Sequence, residues 1–482
     1  MEQTTNAIIY ASGLPDVKPE ELVLFENVEP GQQAQLGQVL SLGPDIVEIL
    51  VLSENRAKNG TKVVRTNESL KVPVGSALLG NVIDPLGKPL ESPSLKFTPL
   101  EYRLINNAPT GILTRKAINK PFHTGVSLVD LVIPLGQGQR ELIIGDRKTG
   151  KTDFLLQAVL SQAKNNNICI YGAIGKRKID IKTLKEFFTK NNIMDRIVIV
   201  ASGSDYPPGI IYLTPYTAMT LAEYFRDEGN DVLLVLDDMS THAKFYREIS
   251  LLGKKFPGRN SYPGDIFYTH AKLLERAGNF ITSKGQNSIT CLPVAETIQG
   301  DLSGYIQTNL MSMTDGHLYF DADLFTKGRR PAINPFLSVS RVGPQTQSHV
   351  KRQINREILS FMTLFEKMQS FTHFGAELNQ TAKIMLDVGE KMIRFFDQQP
   401  SVTIPINVQI LLFSTLWNNI KENNTLYDKI KILEKIVKLY EEKEDIRKTI
   451  DAIIDNSTSF NELLGMIKQK GEEILASINK YG

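Results

Sequence analysis

One eight-residue stretch, Gly145–Thr152, restricts the folds open to this chain more than any other feature. It reads Gly-Asp-Arg-Lys-Thr-Gly-Lys-Thr and fits the phosphate-binding pattern Gly-x4-Gly-Lys-Ser/Thr. The apolar run Leu142–Ile144 before it predicts a buried strand, and Phe154–Leu160 after it predicts an amphipathic helix. Glycines at both ends let successive backbone N–H groups curl around a phosphate chain. A strand, loop and helix in this order predict a nucleotide-binding α/β fold.

The residue types in and near this loop predict how a nucleotide is held. The helix N-terminus adds partial positive charge, Lys151 is expected to reach the β- and γ-phosphates, and Thr152 to ligate Mg²⁺. A second apolar run, Leu233–Leu236, is followed by Asp237. Because the carboxyl end of a parallel strand faces the ligand crevice, Asp237 is expected to orient the Mg²⁺ directly or through water. The alternative, a glycine turn with a surface lysine, is disfavoured by the flanking strand and helix.

Hydrolysis of a nucleotide also needs a group that polarises the attacking water, usually a carboxylate. The predicted strand Ile168–Ile174 leads into Gly175 and the basic run Lys176–Lys178, so this chain offers only cations there. Nearby phosphates would raise the pKa of Lys176, which therefore cannot act as a base. Two interpretations stay open: the basic run grips phosphate, or it is a solvated loop.

The length of the sequence and the changes in its secondary-structure pattern along the chain predict a multidomain α/β protein. A chain of 482 residues is too long for one core. Turn signals at about ten-residue spacing near the start predict a small antiparallel β-barrel. Strands then alternate with helices, and after Pro344 the pattern is helical, with Lys429–Lys448 interpreted as one solvated helix rather than a coiled coil. We predict an N-terminal β-barrel at 1–76, a nucleotide-binding α/β domain at 77–346 and a helical domain at 347–482.

Individual elements of the central region follow from its apolar runs and their periodicity. The predicted strands are Leu142–Ile144, Ile168–Ile174, Arg196–Ala201, Leu233–Leu236 and Ser288–Val294. The predicted helices between them include Ile181–Asn191, Tyr216–Glu228 and Gly264–Ala277.

Charge and composition exclude several classes of partner. The formal net charge is +2, which gives no reason to expect nucleic acid or an anionic membrane as a partner. The two cysteines, Cys169 and Cys291, are expected to be core residues in a reducing compartment. The first residues lack a signal-peptide pattern, and no apolar run is long enough to predict a direct membrane span.

Taken together, these residues resemble a known family. The chain is similar to the alpha subunits of the F-type ATP synthase, within the alpha/beta family of rotary ATPases, from about Leu40 to Phe374 and more weakly beyond. The stretches that carry the resemblance are Gly138–Arg147, Thr149–Thr152, Ala173–Gly175, Glu223–Asp227, Tyr262–Tyr268, Leu273–Ala277, Thr308–Asn309, Ser312, Thr314–Gly316, Arg330–Asn334 and Ser338–Gly343.

The family also contains a catalytic beta subunit, and three features separate the two. The opening Gly-Asp-Arg of the phosphate loop and the segment Ser338–Gly343 resemble alpha. The position of Lys176 is a glutamate in beta and a glutamine in alpha, whereas this chain has neither. The resemblance therefore implies a non-catalytic subunit, and the isolated chain is predicted to be inactive.

The resemblance also implies an architecture and an assembly. The expected fold is an N-terminal antiparallel β-barrel, a central RecA-like P-loop α/β domain and a C-terminal helical bundle. Three alpha subunits would alternate with three beta subunits around a central gamma-type stalk. Such a complex is peripheral on the inner, cytoplasmic face of the cell membrane, where it synthesises or hydrolyses ATP coupled to proton transport.

The site residues implied by the resemblance bind ATP or ADP with Mg²⁺ in a structural or regulatory role. Arg341, at the end of a predicted strand Phe336–Ser340, is expected to act as an arginine finger on the neighbouring beta subunit, because a guanidinium stabilises charge on the γ-phosphate. A structural salt bridge is the alternative for this arginine. The adenine side would be Phe325, Arg330 and Pro331, with Gln398 or Gln399. The nucleotide-binding residues of the loop are Gly145, Asp146, Arg147, Lys148, Thr149, Gly150, Lys151 and Thr152, and the metal residues are Thr152 and Asp237.

Some residues depart from the family pattern. The chain begins almost directly at the barrel, without the segment that docks the delta subunit, so a delta-type stator contact is expected to be weak or absent. Gln307 replaces a proline and Lys148 a glutamine. These departures indicate a divergent member, with a hydrolysis-only rotary paralogue lacking the standard stator as the alternative.

Two further classes of protein are alternatives for this sequence. A stand-alone hexameric RecA-like ATPase, such as an export ATPase or the Rho helicase, is disfavoured by the missing carboxylate and by the lack of a basic nucleic-acid face. A scaffold with a vestigial phosphate loop is disfavoured because Lys151, Thr152 and Asp237 are intact.

Overall fold

The computed structural model describes residues 3–4, 7–26, 35–53, 59–91, 97, 101–373, 380–421 and 429–469. The strands are β1 Gln3–Thr4, β2 Ile8–Ala11, β3 Glu21–Phe25, β4 Gln35–Leu42, β5 Val47–Val51, β6 Val63–Ser69, β7 Lys71–Val74, β8 Val82–Ile83, β9 Glu101–Leu104, β10 Pro121–Phe122, β11 Leu135–Gly136, β12 Glu141–Gly145, β13 Ile168–Lys176, β14 Ile197–Gly203, β15 Val232–Asp237, β16 Gly278–Thr282, β17 Gly285–Glu296, β18 Gly316–Phe320 and β19 Val339–Ser340. The helices are α1 Ser127–Val132, α2 Lys151–Lys164, α3 Lys178–Lys190, α4 Pro208–Asp227, α5 Met239–Leu252, α6 Ile266–Leu274, α7 Tyr305–Met313, α8 Ala322–Thr326, α9 His349–His373, α10 Gln380–Phe396, α11 Ile406–Lys421, α12 Lys429–Glu442 and α13 Glu444–Asp455.

Two compact units make up the chain, and each collects several stretches of sequence. The first unit comprises 1–118, 137–147 and 162–317, and the second comprises 119–136, 148–161 and 318–482. The phosphate loop is therefore divided, with Gly145–Arg147 in the first unit and Lys148–Thr152 in the second.

The N-terminal part of the first unit is an antiparallel sheet in the order β1-β2-β5-β4-β3-β6. Strand β3 alternates in burial, because one of its faces packs on a core and the other does not. Ile9, Val23, Phe25, Val39 and Ile49 are among the buried side chains of that core. The predicted antiparallel arrangement is confirmed, and closure of the sheet into a barrel stays a prediction.

The larger sheet of the first unit is mainly parallel and runs in the order β12-β17-β15-β13-β14-β8. Strand β16 pairs antiparallel with β17. Strands β12, β14 and β15 are buried along their whole length, as expected for strands covered on both faces. Each predicted strand of this region overlaps an observed one, and both cysteines are buried and free as predicted.

Helix α4 differs from its prediction. It begins at Pro208, eight residues before the predicted start at Tyr216, and continues through Pro215. A proline inside a helix costs about 3 kcal/mol because it removes a hydrogen bond and crowds the preceding turn. Nearly every side chain of α4 is buried, so tertiary packing against β13, β14 and β15 outweighs that cost.

The second unit is mostly helical beyond β19, as predicted for the C-terminal region. Its core holds a cluster of aromatic rings in which Phe413 contacts Phe395, Trp417 and Phe460, with centroids 5.5–6.0 Å apart. The single helix predicted over Lys429–Lys448 is wrong, because Lys443 leaves helical geometry and separates α12 from α13. In the described ranges, no helix has both the length and the apolar character to cross a membrane.

An ion pair lies inside the first unit, away from solvent. Arg276 is 1% exposed, and its guanidinium donates to both carboxylate oxygens of Glu223, at 2.9 and 2.6 Å. It also donates to the carbonyl of Ile105 and the hydroxyl of Thr220. These contacts join α4 to the end of α6, and they compensate the burial of both charges.

We expect Arg276→Ala to destabilise the first unit by about 3–5 kcal/mol, because the change leaves the Glu223 carboxylate buried without its counter-charge. The measurement is the midpoint of thermal unfolding by calorimetry. Lys284→Ala is the matched control, since Lys284 pairs with Glu228 at the surface and should contribute no more than about 1 kcal/mol. Equal midpoints for the two variants would contradict a structural role for the buried pair.

Candidate functional site

The opening of the phosphate loop is fixed within the first unit. Strand β12 is fully buried and ends at Gly145, whose carbonyl accepts a hydrogen bond from the Thr297 N–H at 3.1 Å. The Asp146 carboxylate accepts from the Thr297 hydroxyl, and Arg147 Nε donates to Glu296 at 2.8 Å. Asp146 and Arg147 therefore anchor the loop to the end of β17.

The remainder of the loop leads into helix α2 of the second unit. Lys148 and Gly150 have φ values of 61° and 88°, a left-handed backbone that lets the chain turn tightly before the helix. Lys151 begins α2 and is only 8% exposed, whereas Thr152 is exposed. This local geometry fits a phosphate group at a helix N-terminus.

The residues expected on the adenine side are brought together in the second unit. The Arg330 guanidinium lies 3.6 Å from the centroid of the Phe325 ring and donates to the Phe325 carbonyl at 3.0 Å. A Cβ built on Gly150 would lie 3.7 Å from the same ring, so the ring borders the phosphate loop. Pro331 follows Arg330 directly. Phe325 and Arg330 therefore lie together near the start of α2, where the resemblance expects the adenine.

The two candidate glutamines have different surroundings. The Gln398 side chain is buried: its Oε1 accepts from the Ser127 N–H, and its Nε2 donates to the carbonyls of Gly125 and Val402 at 2.7 and 2.6 Å. An amide has two donor hydrogens, and both are used here. The Gln399 side chain is exposed. Gln399 is therefore the better candidate for contact with a base.

Asp237 has partners on both of its carboxylate oxygens. Lys176 Nζ donates to Oδ1 at 2.7 Å, and the Tyr171 hydroxyl donates to Oδ2 at 2.8 Å. Lys176 belongs to strand β13 and is 26% exposed in its side chain, so the interpretation of this position as a solvated loop is wrong. The structure pairs Lys176 with the predicted metal-orienting carboxylate instead.

The charge state of Lys176 follows from its neighbours. Burial by itself lowers the pKa of the ammonium, but the carboxylates of Asp237 and Asp238 outweigh it and hold the pKa above its ordinary value. Asp238 caps helix α5 by accepting from the N–H and hydroxyl of Thr241, and burial raises the pKa of its carboxyl. Lys176 is therefore a protonated cation at neutral pH.

A bulge in β13 brings Lys176 to Asp237. Ala173 pairs with Ala201 and Lys176 with Gly203, so three steps along β13 match two steps along β14. The extra residue changes which face of the strand the following side chains take. Tyr171 and Lys176 are five positions apart and would point to opposite faces of a regular strand. The bulge lets both of them reach one carboxylate.

The two predicted metal residues differ in their fit to Mg²⁺. The Thr152 hydroxyl is exposed on the first turn of α2 and suits a hard oxygen-seeking ion. Both carboxylate oxygens of Asp237 already accept hydrogen bonds, one from the Lys176 ammonium and one from the Tyr171 hydroxyl. Asp237 is therefore poorly suited as a direct ligand of the metal. Across the described ranges, no cluster of three or more His, Cys, Asp or Glu side chains could hold a metal ion.

Arg341 lies at the surface of the second unit, directly after β19. The strand predicted over Phe336–Ser340 is wrong in its first half, because the Asn334 side chain accepts from the N–H groups of Phe336 and Leu337 and closes a turn. Ser340 anchors the end of the short strand by donating to the Pro134 carbonyl at 2.7 Å. The Arg341 side chain is exposed, and no ion pair with a described residue engages its guanidinium.

Two contributors to the site were missed from the sequence. Tyr171 was expected only as part of a buried strand, and its contact with Asp237 depends on cross-strand pairing of Tyr171 and Val235 that no local pattern reveals. Gln157 on α2 donates to the carbonyls of Gln399 and Val402. A polar residue inside the apolar stripe of a predicted helix was the available signal for Gln157.

Two family models together match most of the chain. Residues 125–340 match the nucleotide-binding domain of the ATP synthase alpha/beta family. Residues 347–470 match the C-terminal domain of the ATP synthase alpha/beta chain.

Full-length relatives give the same result. The chain is 40% identical over 416 residues to ATP synthase subunit alpha of Neorickettsia sennetsu, covering 84% of this chain and 80% of the relative. It is 41% identical over 411 residues to the protein of that name in Aquifex aeolicus, again covering 84% and 80%. The corresponding Helicobacter pylori protein is 38% identical over 413 residues, covering 86% and 82%.

Substitution of the two glutamines should have different effects, one on stability and the other on nucleotide affinity. We expect Gln398→Ala to lower the thermal unfolding midpoint, because each buried group left without a partner costs about 1–3 kcal/mol. Gln399→Ala should leave the midpoint unchanged and weaken ADP binding about two- to tenfold, the range of one net hydrogen bond. Calorimetry measures both quantities. Reduced ADP affinity for Gln398→Ala at unchanged stability would reverse the assignment.

Proposed function

The chain belongs to the alpha subunits of the F-type ATP synthase, and from this premise we propose that it binds ATP or ADP without hydrolysing it and supplies a catalytic arginine to a neighbouring beta subunit. The observation that carries the non-catalytic assignment is the ion pair between Lys176 and Asp237, 2.7 Å long. Membership of this family makes the chain part of an ATP synthase complex that has synthase and hydrolase activity.

Adenine-nucleotide binding follows from the family, and the residues proposed for it follow from the site. The phosphates are assigned to the loop Gly145–Thr152, whose backbone turns and helix N-terminus suit an anion. The base is assigned to Phe325, Arg330 and Pro331, with Gln399 as a further proposed contact. Mg²⁺ that arrives with the nucleotide is assigned to the Thr152 hydroxyl, and Asp237 is not assigned as a direct ligand.

The absence of turnover is assigned to the position of Lys176. A water that attacks the γ-phosphate needs a carboxylate or a similar acceptor to orient it. Lys176 is protonated and has donors only, so it cannot accept a proton or a hydrogen bond from that water. Its neighbour Asp237 is held by Lys176 and Tyr171 and is not free to replace the missing group.

Arg341 is assigned to the catalytic site of the neighbouring subunit. Its guanidinium is exposed, and the backbone beneath it is fixed by the contact between Ser340 and Pro134. Gly343 approaches the Pro134 carbonyl so closely that a Cβ there would clash, which also restricts the segment. A planar, permanently charged guanidinium held at the surface suits the phosphate oxygens of a nucleotide that another chain binds.

The proposed assembly is the alternating ring of the family. Three copies of this chain alternate with three beta subunits around a gamma-type stalk. The complex is peripheral on the inner face of the cell membrane and coupled to ion transport through other subunits.

The purified full-length chain should bind ATP and should not turn it over. The position where a catalytic carboxylate would be expected is occupied by Lys176. Phosphate release is measured under steady-state conditions, with ATP binding measured in the same preparation. Lys151→Ala serves as the control that removes phosphate binding. Steady turnover by the pure chain, abolished in Lys151→Ala, would overturn the non-catalytic assignment.

Arg341→Ala should reduce ATP hydrolysis by the complex reconstituted with beta and gamma subunits by about 10³- to 10⁵-fold, the contribution of an arginine finger. Arg341→Lys should restore little, since a point charge does not reproduce the planar fork. Arg447→Ala, which removes an exposed arginine of α13, is the control. ATP binding to this chain should survive all three changes. Hydrolysis by the Arg341→Ala complex within a few-fold of the unmodified complex would exclude the role.

A further inference from the structure

Three carboxylates at the carboxyl edge of the parallel sheet have partners within the first unit. Asp237 is paired with Lys176 and Tyr171, and Asp238 caps helix α5. Glu296, at the end of β17, is paired with Arg147. These three carboxylates are therefore already engaged by the chain itself.

Lys176 lies at the edge of the sheet where the phosphate loop begins, so its charge can affect nucleotide binding. Strands β12 and β15 are separated only by β17, so the start of the phosphate loop and Asp237 lie about 10 Å apart at the same edge, two strand spacings of about 4.8 Å. Lys176 reaches the end of β15 from the adjacent strand β13. A full positive charge thus lies beside the carboxylate that ordinarily orients a metal.

The chemistry of an ammonium group suits it to phosphate as well as to Asp237. An ammonium has three donor hydrogens, and the contact with Asp237 uses one of them. Asp238 Oδ2 lies 4.0 Å from the same ammonium, beyond hydrogen-bond distance, so a single close contact with an acid is made there. A divalent ion bound to the same carboxylate would be repelled by this cation, and it would have to displace the donors on both oxygens.

We propose that the Lys176 ammonium takes the place of the divalent metal at Asp237, so that this chain binds ATP or ADP without requiring Mg²⁺. The inference rests on the proposed nucleotide binding and adds to it that the site is independent of metal. Thr152 can still contact Mg²⁺ that arrives with the nucleotide, but the affinity for the nucleotide does not depend on that contact.

The test is calorimetric titration of the full-length chain with ADP, in saturating MgCl₂ and in excess EDTA. Removal of the metal should change the dissociation constant of the unmodified chain by less than about threefold, the scale of a screened charge. In Lys176→Gln, the same removal should weaken binding by more than about tenfold, because no charge then compensates Asp237. Mn²⁺ titration of the ADP-saturated chain, followed by electron paramagnetic resonance, should show tighter Mn²⁺ binding in Lys176→Gln.

A control variant separates the role of the charge at this position from the general effect of losing a lysine. Lys182→Gln removes an exposed lysine of α3 and should behave as the unmodified chain.

The outcomes distinguish this inference from the function on which it rests. A loss of tenfold or more in EDTA for the unmodified chain overturns the inference and leaves nucleotide binding intact. No ADP binding in either condition overturns the proposed nucleotide site, and the inference with it. The measurement on the unmodified chain decides between these results even if Lys176→Gln does not fold.

Discussion

The ion pair between Lys176 Nζ and Asp237 Oδ1 sets the charge at the edge of the parallel sheet where the phosphate loop begins. The Asp237 side chain is 8% exposed, and a carboxylate with so little solvent needs a counter-charge or strong donors. Lys176 supplies the charge and Tyr171 a second donor. Both oxygens of the Asp237 carboxylate are thereby engaged, which supports the proposal that the chain binds nucleotide without activating a water to attack it.

The sequence predicted the fold best where burial alone decides the structure. Strands such as β12 and β15 are covered on both faces and read as unbroken apolar runs, so their positions followed directly. The start of α4 could not be predicted in this way, because its passage through Pro215 depends on packing against three strands distant in sequence. The bulge between Ala173 and Lys176 was equally hidden, since it exists only in the register with β14.

In the candidate site, too, local features could be predicted from the sequence and tertiary contacts could not. The phosphate loop is a local motif, and its backbone turns at Lys148 and Gly150 agree with the sequence pattern. The choice between Gln398 and Gln399 is not local, because the partners of Gln398 at Gly125 and Ser127 lie more than 270 residues away. Neighbouring positions of one residue type can thus have opposite roles, and only the tertiary contacts separate them.

Two cations of this chain illustrate how placement decides function. Lys176 is drawn inward by a bulge and neutralises a carboxylate of its own sheet. Arg341 is held outward by a turn at Asn334 and an anchor at Ser340, and its charge stays exposed. A half-buried, paired charge is suited to set the properties of its own site, whereas an exposed guanidinium on an anchored backbone is suited to act on a phosphate bound by another chain. This division of charge fits the proposal that the subunit binds nucleotide itself and leaves the reaction to its neighbour.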